Sequence, residues 1–182
     1  ISILIKTEIP ENILEAEIIA KETIKIHPNE SSIYILHAAV LNEQKRYQEA
    51  LISINKAIEI KPNIANYHGN LGVVNRELGN LKESEVNFKV ALNMKANNYS
   101  FDFQLVEVLM DQNKKEEAFN RLLSLSKTEI NDGLALRTQI EIAIILILEN
   151  KVEELQQCLI RCEELITKGA LKKIPTKVNQ KY

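Results

Sequence analysis

The chain has no tryptophan, and its 182 residues include only two cysteines, five glycines and four prolines. So little glycine and proline cannot furnish the turns of a many-stranded sheet, which favours helices joined by short loops. Cys158 and Cys162 lie four apart in a helical pattern, sharing a face but poorly oriented for a disulfide, and this reads as a reducing, cytoplasmic setting. Long apolar runs are missing too. The densest, Ile140 to Leu148, holds nine residues including Glu141, well short of the roughly 18 of a membrane span. No charged segment leads into an apolar stretch at the start, and the opening Ile in place of Met reads as a processed product or a piece of something longer. Nor is there an excess of basic charge. The net charge is −2, yet Lys168, Lys172, Lys173, Lys177 and Lys181 crowd into a tail without acids. The rest sets 18 basic against 25 acidic residues, or −7. Phosphate-backbone binding needs clustered Lys and Arg, so nucleic acid and membrane drop out as partners.

What the chain does have is a repeat. Ile24-Lys-Ile-His-Pro-Asn29 recurs as Ile58-Glu-Ile-Lys-Pro-Asn63, and again at the same spacing as Leu92-Asn-Met-Lys-Ala-Asn97. A fixed period of about 34 residues marks stacked supersecondary units. Numbered from Ser31, one unit has Tyr34 at position 4, Ala38 at 8, Tyr47 at 17, Ala50 at 20, Ile54 at 24, Ala57 at 27 and Pro62 at 32. The next, from Ala65, has Leu71 at 7, Gly72 at 8, Gly79 at 15, Phe88 at 24 and Ala91 at 27. Small residues at 8, 20 and 27 let two antiparallel helices approach, and a large one at 24 fills the space between units. Pro28 and Pro62 cannot continue a helix and mark the breaks between units.

These residues make the chain resemble the tetratricopeptide (TPR) family, whose unit is a helix–turn–helix of about 34 residues. The resemblance implies an all-α fold, a right-handed α-solenoid of antiparallel helix pairs. The pattern sets out a partial unit over 1–30, units over 31–64 and 65–98, degenerate units over 99–132 and 133–167, and a basic cap, linker or tail over 168–182. Helices are expected near 11–26, 31–44, 47–60, 65–78, 81–95, 99–112, 115–128, 134–148 and 152–167. The last unit fits after a shift of three residues, with the extra length placed around Asn131-Asp-Gly133.

In such stacks the first helices line a concave surface, and the family usually binds an extended peptide or a helix there. The positions resembling 2, 5, 6, 9, 12 and 13 nominate Asn66, Asn70, Arg76, Phe103, Gln104 and Glu107: amides for a peptide backbone, one cation and an aromatic anchor. For Phe103 a second reading stands beside this one, a buried ring replacing the aromatic that Asp102 displaces from position 4. The carboxylate clamp of chaperone-tail-binding members would fall on Ile35, Ala39, Asn70, Ser100 and Gln104, of which only Asn70 matches. The asparagine ladder of the O-glycosyltransferase superhelix would fall on Leu36, Asn70, Gln104 and Glu141, a two-rung remnant.

Motifs of catalysis are absent: no Gly-rich phosphate loop, no His-Glu-x-x-His, no Gly-x-Ser-x-Gly. His27, His37 and His68 fall at different unit positions, and His68 reads as packed with its polar edge satisfied. Two cysteines alone cannot close a zinc site. The expectation is a non-enzymatic scaffold without cofactor or metal that binds a protein or peptide. The alternative is the recognition arm of a larger enzyme, such as a transferase or hydroxylase, whose catalytic domain lies outside this chain. A homo-oligomer through the end repeats is a further partner class.

Overall fold

The structure, a computed structural model, describes residues 11–94, 98–127 and 132–168. The partner proposed for the first helix within residues 1–9, and the lysine-rich tail from 169 on, lie outside the described residues. Among the described residues there are nine helices: α1 Glu11–Ile26, α2 Ser31–Glu43, α3 Tyr47–Ile60, α4 Ala65–Glu77, α5 Leu81–Met94, α6 Tyr99–Asp111, α7 Lys115–Ser126, α8 Asp132–Leu148 and α9 Val152–Thr167. All but α8 begin at the residue expected from the repeat. α8 starts at Asp132 rather than 134, because Asp132 and Gly133 form part of its first turn. None of these helices is long and apolar enough to cross a membrane.

The turns inside the helix pairs repeat one local solution. Lys45, Gly79, Asn113 and Asn150 all adopt positive φ, between 55° and 79°. In each case the next residue donates its N–H five residues back: Arg46 to Leu41, Asn80 to Asn75, Lys114 to Leu109 and Lys151 to Leu146, at 2.8–2.9 Å. This left-handed cap satisfies carbonyls that the end of the helix leaves open. The first three follow one another at the repeat spacing and the fourth comes three residues late, which is the shift read from the sequence.

The proline breaks are also tied down. Tyr34 Oη donates to the Pro28 carbonyl at 3.0 Å, and His68 Nε2 lies 2.9 Å from the Pro62 carbonyl. Both residues occupy position 4 of their unit, so His68 does the structural job that Tyr34 does one repeat earlier.

Two compact units divide the chain, with the boundary inside α6 after Val108. In the first, α1 to α5 each pack on the next in chain order. Its core joins Ala38, Leu41, Ala50, Ile54 and Val74, with Ile35, Tyr47, Leu51, Ile58, Leu71 and Leu78 against it. Cross-helix polar contacts fix the register: His37 Nδ1 to Ser53 Oγ at 3.0 Å, and Ser84 Oγ donating to the Gly72 carbonyl at 2.7 Å. Phe88 is fully buried against Gly72. In the second unit Leu136, Cys162 and Leu165 pack together, with Ala135 at their edge. Lys115 and Glu149 form an ion pair there at 3.0 Å, and Lys151 Nζ lies 5.7 Å from the Phe119 ring centre.

Candidate functional site

The six nominated residues all fall in the first unit, on α4 and the part of α6 before the boundary. Asn66 is exposed, and Asn70 and Gln104 are half-buried. Asn70 and Gln104 hold the same unit position on successive first helices, and on α2 that position is Leu36, a 63% exposed apolar side chain. One row thus carries an apolar residue and two amides.

Arg76 and Glu107 are brought together. Arg76 Nη1 donates to Glu107 Oε2, an ion pair that ties α4 to α6. Neither side chain stands fully in water, their exposures being 14% and 31%. Sequence reading named both residues but not their pairing. The signal was present: they sit at positions 12 and 9 of adjacent units, about one helical turn apart in level.

The structure corrects the anchor role of Phe103, whose residue is 3% exposed. Asp102 beside it is buried as well. Phe101 lies over Gly69 and 6.2 Å from Phe88, at 42° between ring planes. With Asp102 in place of an aromatic, flanking rings turn inward to supply the missing apolar volume, the second of the two readings for Phe103. Gly69 is what allows Phe101 in, because a Cβ there would overlap the ring.

The remaining candidates are structural. Cys158 and Cys162 are free and buried. Burial pushes both thiols up, Cys158 to about 11, away from the thiolate that nucleophilic or metal chemistry requires. The Cys158 thiol donates to the Gln139 carbonyl at 3.1 Å, which joins α8 to α9. Among the described residues no group of three or more His, Cys, Asp or Glu side chains is placed to hold a metal ion.

A buried carboxylate that sequence reading missed anchors α1. Glu17 accepts from Lys21 Nζ at 2.5 Å, Gln44 Nε2 at 2.8 Å and Arg46 Nη1 at 2.8 Å. The Lys21 ammonium leads in drawing its pKa down to about 2, with Gln44 and Arg46 adding to it against the opposing effect of burial.

The helix pairs, their left-handed turns and the proline breaks define a helical-repeat protein. Residues 31–64 match the model of the tetratricopeptide repeat. No curated protein sequence matches the chain. Among solved structures, the crystal structure of MamA superposes with a TM-score of 0.77 at 15% identity, over 87% of this chain and 91% of that one. YrrB, described as a TPR protein with an unusual peptide-binding site, gives 0.66 at 20% identity over 80% and 74%. The MamA RS-1 double mutant gives 0.74 at 12% identity over 86% of each. Residues 31–64 are thus similar to a tetratricopeptide repeat, and the chain shares the all-α helical-repeat fold of those structures.

Proposed function

We propose that this chain is a recognition scaffold, without a catalytic step of its own, whose first unit holds a peptide or protein segment along α2, α4 and the first part of α6. The observation that carries the reading is the row of Leu36, Asn70 and Gln104, one residue per repeat, with Asn66 one turn before Asn70. Amides at repeat spacing suit the N–H and C=O groups of an extended segment, and Leu36 offers an apolar contact. Arg76 is engaged by Glu107, so the local cation is already neutralised and a ligand carboxylate would have to displace Glu107. Glu43 and Glu77 are exposed at the ends of α2 and α4. This balance favours a neutral or basic segment over an acidic one. A scaffold ordered in advance leaves most of the conformational cost to the ligand.

Capture of partners by the wild type and by an Asn70→Ala, Gln104→Ala variant tests the reading. Both side chains are half-buried rather than core residues, and alanine is a good helix former, so the variant should keep its helicity. Loss of a captured partner with the variant supports the groove; equal capture by both proteins removes these residues from any binding surface.

A further inference from the structure

The backs of the second helices carry a feature that the groove does not use. Ile18, Ile52 and Val86 hold one and the same unit position on α1, α3 and α5, and are 52%, 68% and 59% exposed. α3 buries Ala50, Ser53, Ile54 and Ala57, which puts Ile52 on the side turned away from the core, and the same spacing places Val86 opposite Ser84, Glu85, Phe88, Ala91 and Leu92. Short connections make neighbouring helices antiparallel, so α1, α3 and α5 run in one sense and the three side chains form a row across the first unit. A solvent-facing β-branched residue repeated at one unit position is a periodic apolar row rather than scattered exposure.

The charges beside the row are asymmetric. On a helix, residues i−3 and i+4 flank a side chain on one side, and i−4 and i+3 on the other. Ile18 has Glu15 and Glu22 on its first flank, and Val86 has Lys82 and Lys89 on its second; all four are exposed. Around the central Ile52 the first flank holds Glu49 and Lys56, and the second Gln48 and Asn55.

We propose that two copies of this chain pair back to back through this row, about a two-fold axis parallel to α3 and passing beside Ile52. That operation lays Ile52 on Ile52 of the partner subunit and Ile18 on Val86 of the partner subunit. It exchanges the flanks, so Glu15 meets Lys82 of the partner subunit and Glu22 meets Lys89 of the partner subunit, each contact occurring twice. Glu49 and Lys56 meet the amides Gln48 and Asn55 of the partner subunit, and Leu14 and Lys21 meet Glu83 and Val90 of the partner subunit. No like charges oppose each other. The other in-plane two-fold, along the row, sets Glu15 against Glu22 and Lys82 against Lys89, so charge selects the first. Some groups of the interface already have partners within the chain. Lys89 pairs with Glu85 at 2.5 Å while its side chain stays 51% exposed, so Glu22 of the partner subunit shares it with Glu85. Glu49 pairs with Arg46 at 2.5 Å, Lys21 with Glu17 at 2.5 Å and Lys56 with Glu59 at 2.8 Å. Every residue of the interface is internal to the first unit, and the groove stays open on the opposite side of the helix pairs.

Sedimentation equilibrium of the purified chain tests this directly. The wild type should approach twice 20.8 kDa with rising concentration, and Ile52→Glu should return 20.8 kDa with unchanged helicity. Glu15→Lys should weaken the dimer about tenfold, because it turns two attractive contacts repulsive, and Lys82→Glu added to it should restore pairing. Ile52→Cys should cross-link to its own copy under mild oxidation, while Leu36→Cys on the groove side should not. The native thiols are buried and stay silent. A mass of 20.8 kDa at every concentration overturns the proposal. So does a dimer that survives Ile52→Glu, or a Glu15→Lys, Lys82→Glu protein no better paired than Glu15→Lys alone.

Discussion

Replacing Glu17 with Gln probes how α1 is held. α1 packs chiefly on α2, and its closest polar tie to the rest of the unit is the Glu17 carboxylate with Gln44 and Arg46. A carboxylate drawn from 4.5 to about 2 contributes roughly 3 kcal/mol if fully expressed. Lys21 and Arg46 keep contact with water at 51% and 33% exposure, so screening reduces the expected loss to about 1–2 kcal/mol at neutral pH. Because the folded pKa is the lower one, this stability is complete above the unfolded value and fades as pH falls toward about 2. The difference between wild type and Glu17→Gln should therefore shrink to under half by about pH 3. Stack-like proteins open from their ends, so amide hydrogen exchange of α1, followed at pH 7 and pH 3, is a sharper assay than a global melt. A variant equal to wild type at pH 7, or a difference of the same size at both pH values, would refute the argument.

The two packed glycines should respond differently. Gly69→Ala must expel the Phe101 ring and should cost about 2 kcal/mol in urea denaturation. In Gly72→Ala the new Cβ meets Phe88 Cε1 and Cζ at 3.0 Å, a tight contact offset by better helix propensity, so it should stay within about 1 kcal/mol of wild type. Lys45 occupies the left-handed position at which Gly79 stands one repeat later, so Lys45→Gly should raise stability by about 0.5–1 kcal/mol, read as a higher urea midpoint at unchanged slope. His37 is held below its usual pKa, first by burial and then by Lys21. Stability linked to it is present above 6.5 and lost as pH falls further, so His37→Gln should flatten the pH profile on the acid side of 6.5.

The repeat period, the small residues at Ala38, Ala50 and Ala57, and the stops at Pro28 and Pro62 were enough to place eight of the nine helix starts. These features act within one or two helical turns, so local chemistry decides them. The left-handed turn at Lys45 was least legible, because it lacks the Gly or Asn that favours such a backbone at Gly79, Asn113 and Asn150. The row of Leu36, Asn70 and Gln104 follows from the period alone.

The pairing of Arg76 with Glu107, the burial of Phe103 and the anchoring of α1 by Glu17 were decided only by tertiary structure. Each depends on which side chain of one helix reaches a neighbour on another, and on competition for a fixed volume. Periodicity assigned Phe103 to the groove because its unit position lies there. The fold turned Phe101 and Phe103 inward because Asp102 supplies no ring and the space beside Gly69 had to be filled. Repeat spacing thus determined where helices lie and which faces recur, while packing determined which of those faces remain available to a partner.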